Sequence, residues 1–147
     1  MKVLKRVSFL IASASIMIAS TVYAKATVSN EYQAVVATAY TYFDGLYQGD
    51  KALMSKAFDM DSGYMKSSDG KSITSTSLKL FSENFTEQSS ESWQGKILSV
   101  DIVDEKMAFV KFDFNTPKIH YTDYLIMLKT DGSWKITSKA YVSKTNK

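Results

Sequence analysis

Apolar side chains in the first part of the chain recur at the spacing of an α-helix. Between residues 30 and 47 they fall every three or four positions, at Tyr32, Val35, Val36, Ala39, Tyr40, Phe43, Leu46 and Tyr47. This pattern predicts an amphipathic helix that buries one face. Asn30 is placed to cap its first turn, and Gly49 is placed to end it. Asp50 can then cap a second helix that extends to about Phe58.

A hairpin and a third helix are predicted in the middle of the chain. The hairpin lies between Ser62 and Thr74, with the sequence "SSDG" at its turn. Ser75 or Thr76 can cap the third helix, which extends to about Phe85. Its buried side is predicted to consist of Leu78, Phe81, Ser82 and Phe85.

The second half of the chain reads as four strands joined by tight turns. The turns contain "DEK" and "TDG". The predicted strands are Trp93 to Val103, Met107 to Thr116, Ile119 to Lys129, and Ser133 to Val142. Helices followed by an antiparallel meander are typical of a single α+β domain.

Alternation along the strands predicts which residues face the helices. The predicted inner residues are Leu98, Val100, Ile102, Ala108, Val110, Phe112, Phe114, Tyr124, Ile126, Leu128, Trp134, Ile136, Ser138 and Ala140. The segment "YLIML", residues 124–128, has no alternation, so both faces of its strand need cover. The predicted outer patch contains Met107, Phe109, Tyr121, Leu125, Met127 and Tyr141. A self-complementary apolar patch of this kind predicts a homodimer.

The first residues are typical of a secretory signal peptide. Basic residues precede an apolar run from Val7 to about Ala19, and "VYA" supplies a cleavage site after Ala24. Residues 1–24 are therefore predicted to be removed, and residues 25–147 to form the mature domain. The apolar run is short for a membrane span, so no stable membrane anchor is expected. The predicted location is periplasmic or secreted.

Charge and cysteine content exclude several functions. Without the three basic residues of the leader, the 18 basic residues fall to 15, equal to the 15 acidic ones. A nearly neutral chain offers no electrostatic basis for binding nucleic acid. The absence of cysteine excludes disulfides, thiolate metal sites and a cysteine nucleophile. His120 is the single histidine, which excludes a His-rich metal site, and no cofactor is expected.

Two segments carry a resemblance to a known group of proteins. These are "YFDGLYQGDKALMSKAFDMDS" near the front and "YTDYLIMLKTDGSWKITSKAY" at the back. With them the chain resembles the nuclear transport factor 2-like superfamily, and is most similar to its bacterial putative lumazine-binding branch. The resemblance implies a cone-shaped, cystatin-like α+β fold with helices on a curved antiparallel sheet. It also implies dimerisation through the sheet, and a fold shared by ketosteroid isomerases, polyketide cyclases and binding proteins.

The isomerase motif of that superfamily fits this sequence only in part. Aligned on Gly49 and Asp50, Tyr42 falls where those enzymes place the tyrosine that donates to the oxyanion. Lys66 falls where they place the aspartate that acts as general base. A protonated lysine cannot accept a proton, so the motif predicts no ketosteroid-type isomerase activity and no catalytic residues. Asp59 and Asp61 are interpreted as turn-forming residues.

The candidate function is ligand binding. The predicted pocket residues are Tyr42, Phe58, Tyr64, Phe81, Trp93, His120, Tyr124 and Ser138. His120 would be a polar group at the pocket mouth, or else a histidine bonded to backbone near Pro117. The leading hypothesis is an exported, non-catalytic protein that holds a small apolar or aromatic ligand. The alternatives are an isomerase- or cyclase-like enzyme of the same fold, with His120 and Tyr42 as one acid/base pair, and a protein-interaction module.

Overall fold

Three helices and six strands make up the described part of the chain. The structure is a computed structural model that describes the backbone of residues 12–147 and the side chains from residue 30 onward. Residues 1–11 of the predicted signal peptide lie outside that range. The elements are α1 Ala12–Gln48, α2 Lys51–Ala57, β1 Tyr64–Ser68, β2 Ile73–Ser77, α3 Leu78–Ser82, β3 Gln94–Val103, β4 Met107–Asn115, β5 Ile119–Thr130 and β6 Ser133–Thr145.

The strands form one mixed sheet in the order β2-β1-β6-β5-β4-β3. Strands β3 to β6 form an antiparallel meander, and β1 joins β6 in parallel. Helix α1 packs across one face of the sheet, which we call the inner face, and α2 packs beside it on α1 and β6. The α+β class predicted from the sequence is confirmed.

Local signals set most element boundaries. Gly49 adopts φ +65°, the left-handed conformation that commonly ends a helix, immediately after α1. Asp50 Oδ1 accepts hydrogen bonds from the backbone N–H groups of Ala52 and Leu53, so it caps α2 as predicted. Asp131 and Gly132 both have positive φ in the two-residue turn between β5 and β6.

Two helix boundaries differ from the prediction. Asn30 does not cap α1, because the helix is already continuous from Ala12 and residue 30 lies within it. Helix α3 is capped by Ser77, whose hydroxyl accepts from the N–H of Leu80, rather than by Ser75 or Thr76. It ends at Ser82, earlier than predicted. Strand β2 pairs with β1 as far as Ser77, and that pairing delays the start of the helix.

The face assignment of β5 was wrong. Leu125 and Met127 are buried on the inner face, opposite Val110 and Ala108 of β4. Tyr124, Ile126 and Leu128 therefore point to the other side, which we call the outer face. Five consecutive apolar residues fit either parity, so alternation within the strand did not decide between them.

Two β-bulges, one in β3 and one in β6, change the face on which the neighbouring side chains lie. A bulge between Ile97 and Ser99 turns Leu98 outward, where it is exposed. A second bulge, near Thr137, lies between the Ile136 and Ser138 pairings of β6. Beyond it the parity reverses, so Lys139 and Tyr141 face inward while Ser138 and Ala140 face outward.

The outer face carries a group of apolar residues, but they are not the predicted set. Met107 and Phe109 lie there as expected, whereas Tyr121, Leu125, Met127 and Tyr141 lie on the inner face. We define the outer patch by its exposed or partly exposed apolar residues: Val103, Met107, Phe109, Tyr124, Ile126, Leu128 and Val142. In the described part of the chain, no helix is long and apolar enough to cross a membrane.

Candidate functional site

A cluster of three polar side chains lies inside the apolar core. Tyr42 comes from α1, Asp123 from β5 and Lys139 from β6. Asp123 is 0% exposed and Lys139 only 3%, which is rare for charged residues. The bulge near Thr137 turns Lys139 inward, where β6 pairs it opposite Leu125.

The three side chains bind one another through short contacts. Tyr42 Oη donates to Asp123 Oδ2 at 2.6 Å. Lys139 Nζ donates to Tyr42 Oη at 2.7 Å and lies 3.1 Å from Asp123 Oδ2. One carboxylate oxygen therefore faces both a phenol and an ammonium group, and the two opposite charges form a buried ion pair.

The second carboxylate oxygen of Asp123, Oδ1, differs from the first in its hydrogen bonding. Asp123 Oδ1 is buried and has no hydrogen-bond partner among the described residues. A buried acceptor left unpaired costs about 1–3 kcal/mol, and more when it carries charge. Unsatisfied groups of this kind in folded proteins need an explanation, and a catalytic role is one of the usual ones.

Burial changes the acid–base properties of two members of the cluster. It raises the pKa of the Tyr42 hydroxyl well above its ordinary value, and the charge of Asp123 raises it further. Tyr42 therefore stays protonated and can donate. Burial also lowers the pKa of the Lys139 ammonium, although attraction to Asp123 opposes that change. Lys139 is consequently a weaker base than a surface lysine.

Aromatic rings enclose the lysine head group. Nζ lies 5.1 Å from the ring centre of Tyr42 and 5.0 Å from those of Phe81 and Tyr141. Cations are attracted to ring faces at these distances. The Phe81 ring is only partly buried, and it lies on α3, a helix of five residues.

A cavity adjoins the cluster through the ring of Phe58. That ring lies 5.3 Å from the Tyr42 ring, centre to centre, and also lines a cavity of about 710 Å³ between the end of α2 and the β5–β6 turn. Asp59, Lys129 and Lys135 are among its other lining residues. The volume suits a small organic molecule.

Four of the predicted pocket residues lie in the interior. Tyr42 and Phe58 are fully buried, and Phe81 packs against Phe58 at 6.2 Å between ring centres. Trp93 stacks on Phe114 at 5.9 Å at the β3 end of the core. These four belong to the aromatic interior around the cluster and along the sheet.

The other four lie away from it, which corrects their predicted inward placement. Tyr124 is 54% exposed and Tyr64 is 51% exposed, both on the outer face with Ser138. His120 also faces outward, where Nε2 lies 2.7 Å from Asp113 Oδ1. The cause is the reversed parity of β5 and the bulge in β6. His120 is therefore remote from Tyr42 and is not its acid/base partner.

Lys66 and Asp59, which the sequence also singled out, lie outside the cluster. Lys66 is exposed on the outer face beside Ala140 and lines a groove of about 410 Å³ with Tyr124 and Val142. Asp59 accepts from Ser62 Oγ and from the N–H of Asp61, which is the predicted turn. In the described part of the chain, no three acidic or histidine side chains are close enough to hold a metal ion.

Comparison with known proteins identifies the family. Residues 30–142 match the family described as putative lumazine-binding. The chain belongs to this family. Membership confirms the superfamily and branch that the sequence resembles. The described fold, with helices on a mixed sheet, is the nuclear transport factor 2-like fold.

One curated relative and several solved structures are similar to this family member. Aldolase FrzH of Cladobotryum sp is 37% identical over 123 residues, which cover 82% of this chain and 97% of that protein. A nuclear transport factor 2-like protein of unknown function from Shewanella baltica OS155 has a TM-score of 0.70 at 22% identity, covering 80% of this chain and 97% of that one. A ketosteroid isomerase-like protein from Erwinia carotovora atroseptica SCRI1043 has a TM-score of 0.59 at 15% identity, covering 78% and 96%. At these identities the two structures show the fold alone.

Sequence reasoning found one member of the cluster and missed two. Tyr42 was singled out, but Asp123 and Lys139 were noted only as parts of the family segment "YTDYLIMLKTDGSWKITSKAY". One signal was available for Asp123. It shares parity with Leu125 and Met127, so an inward β5 would have predicted a buried carboxylate. Lys139 had no local signal, because its direction depends on the bulge.

Proposed function

We propose that this family member is an enzyme that removes a proton next to the carbonyl group of a small substrate, in a reaction of the aldol or enolisation type. Two findings support the proposal. The first is the buried cluster of Tyr42, Asp123 and Lys139. The second is the 37% identity to a protein named as an aldolase over nearly its whole length.

The observation that carries the proposal is the unpaired oxygen of Asp123. Removal of an α-proton requires a base within hydrogen-bond reach of the carbon, and donors for the oxygen that gains negative charge. Asp123 Oδ1 is an acceptor that has no hydrogen-bond partner among the described residues. Tyr42 and Lys139 are donors beside the other oxygen of the same carboxylate. One side chain thus supplies the base, and its two neighbours can stabilise the enolate.

A buried ion pair is poorly explained by ligand binding or folding alone. Replacing such a pair by apolar side chains of similar volume is often neutral or stabilising by about 1–4 kcal/mol. An apolar binding pocket needs one or two polar groups and no desolvated cation. The cluster therefore favours the enzyme alternative over the non-catalytic interpretation. Asp123 would be the general base, the role of the isomerase aspartate whose position in the sequence is occupied by Lys66.

The proposal is tested by following exchange of α-protons into heavy water by NMR. A panel of small ketones and aldehydes serves as the probe. We expect the unmodified chain to accelerate exchange of at least one of them, and Asp123→Asn to remove that acceleration. Tyr42→Phe should reduce it by about 10²–10³-fold, the cost of losing one donor to an oxyanion.

The matched control is Asp113→Asn. It makes the same chemical change on the outer face, where Asp113 contacts His120 and Thr122. It should leave exchange unchanged, and circular dichroism should show that all three variants are folded. Equal exchange by the unmodified chain and by folded Asp123→Asn would contradict the proposal.

We also propose that the mature protein begins at Lys25 outside the cytoplasm. The first described side chain that joins α1 to the sheet is Glu31, which accepts from Lys129 Nζ and from Trp134 Nε1. Cleavage after Ala24 would leave this contact intact. N-terminal sequencing of protein from its native host should return Lys25. A sequence beginning at Met1 would contradict the proposal.

The outer patch supports a further proposal, that two copies pair through their sheets. A two-fold axis would place each patch against the same patch of the other copy and shelter it from water. Leu128→Lys and Tyr124→Lys should then yield monomers in sedimentation experiments. Tyr32→Lys is the control, because Tyr32 is an exposed aromatic residue on α1. A monomeric unmodified chain at micromolar concentration would contradict the pairing.

A further inference from the structure

We infer that Lys139 is a nucleophile that forms an imine with a carbonyl substrate, with Tyr42 and Asp123 moving the protons. This inference rests on the proposed carbonyl chemistry of the same site and assigns a covalent intermediate to it. It also predicts the substrate class, which is an aldehyde or ketone with an enolisable α-carbon.

The position of Nζ carries the inference. It lies 2.7 Å from a phenol oxygen and 3.1 Å from a carboxylate oxygen, so a proton donor and a proton acceptor are both in contact with it. Imine formation needs both groups, because one proton must leave the amine and another must reach the departing oxygen. The unpaired Asp123 Oδ1 offers a further acceptor in the same cluster.

The surroundings of Lys139 increase the fraction of its side chain that is a neutral amine, compared with a lysine in water. Three aromatic rings replace most of the water around Nζ. Desolvated lysines in apolar surroundings are the ones that enzymes use for imine chemistry. The lowered pKa of Lys139 agrees with this environment. Transfer of a proton from the ammonium to Asp123 converts the ion pair into a neutral pair, which a buried site tolerates better.

The reaction needs the substrate, a second carbonyl compound as acceptor, and one water molecule that leaves and later returns. The free amine attacks the carbonyl carbon, a C–N bond forms, and Tyr42 takes an N–H proton while it gives its own hydroxyl proton to the oxygen. Protonated Asp123 then gives its proton to that hydroxyl group, the C–O bond breaks, and water leaves as the iminium forms. Asp123, again a carboxylate, accepts the α-proton and leaves an enamine. The enamine carbon bonds to a second carbonyl carbon, whose oxygen takes the proton from Asp123, and water then hydrolyses the iminium.

Phe81 controls access to the amine in this arrangement. Its ring centre is 5.0 Å from Nζ, and it is partly exposed on α3. Lys139 itself is buried, so a substrate reaches Nζ when this ring moves aside. Phe81→Ala should therefore speed the reaction of Lys139 with a small probe while leaving the cluster's three polar groups in place.

The experiment uses acetylacetone as the probe, because a diketone converts a neutral amine into a stable enaminone that absorbs in the near ultraviolet. At neutral pH we expect Lys139 to react at least about tenfold faster than Lys144, since a surface lysine is almost fully protonated. Peptide mapping by mass spectrometry identifies the modified residue. The reaction should be faster still in Phe81→Ala.

Lys139→Arg keeps a cation at the site and removes the nucleophile, so it should lose both the fast enaminone and the α-proton exchange. Lys144→Arg, on the exposed tail, is the matched control and should lose neither. No modification of Lys139 in either the unmodified chain or Phe81→Ala would overturn the imine. Exchange that persists in Lys139→Arg but disappears in Asp123→Asn would also overturn the imine, and would leave the proposed proton transfer standing.

Discussion

Replacing Lys139 by methionine should lower the free energy of unfolding by about 3–5 kcal/mol, because it leaves the carboxylate of Asp123 buried without its opposite charge. Asp123 is 0% exposed, so water cannot take the place of the ammonium unless the fold opens. Asp123→Leu should have an effect of similar size, since it leaves the ammonium group of Lys139 buried without its opposite charge. Urea denaturation, with equal slopes required between variants, measures both effects.

Removing the polar groups of Tyr42, Asp123 and Lys139 together should restore the free energy of unfolding. In the double variant Asp123→Leu with Lys139→Met, the cluster no longer contains a charged side chain, but the hydroxyl of Tyr42 loses both partners at a cost of about 1–3 kcal/mol. Adding Tyr42→Phe removes that cost. We expect the triple variant to be at least as stable as the unmodified protein.

The exposed pair of Lys106 and Asp104 provides the control. Its atoms are 3.5 Å apart, and both side chains are more than 80% exposed. Lys106→Met should leave stability unchanged within error, because exposed pairs contribute little. Single variants of the buried pair that behave like Lys106→Met would contradict the cost assigned to the cluster.

A triple variant that is stable but inactive would separate folding from function. The cluster would then be a feature that the fold does not require and that lowers stability in the native protein. Strained or unsatisfied groups retained at such a cost are typical of active sites. The same variant should lose α-proton exchange completely, because base, donor and amine are all absent.

Local signals in the sequence were sufficient for most of the fold. Gly49 and Asp50 set the junction between α1 and α2, and Asp131 with Gly132 set the last turn, because each depends on one residue and its immediate neighbours. The strands followed from apolar runs between these turns. The order of helices and strands predicted the α+β class, and the family segments then indicated the nuclear transport factor 2-like fold.

Features that depend on distant partners were not predictable in the same way. Tyr42 and Asp123 are 81 positions apart, and Tyr42 and Lys139 are 97 apart. They meet only when α1 packs on the folded sheet. The direction of Lys139 also depends on a bulge near Thr137, which alternation from Trp134 onward does not reveal. Sequence reasoning therefore found the aromatic interior and missed the charged pair within it.

The wrong assignment of the β5 side chains to the two faces of the sheet has the largest consequence. Two leucines on that strand test the corrected assignment. Leu125 is 1% exposed on the inner face, and Leu128 is 43% exposed on the outer face. Leu125→Ala should lower the free energy of unfolding by about 2–5 kcal/mol through lost burial and the cavity left behind. Leu128→Ala should change it by no more than about 0.5 kcal/mol.

Because the two variants remove the same atoms from one strand, the difference between them reports only which face each leucine occupies. Denaturant unfolding should be measured at low protein concentration, so that pairing of copies through the outer patch does not stabilise Leu128. A larger loss for Leu128→Ala would restore the original parity and turn Asp123 toward the outer face, away from Tyr42. The expected order instead fixes Asp123 inward with Leu125, since side chains two positions apart on a strand share a face.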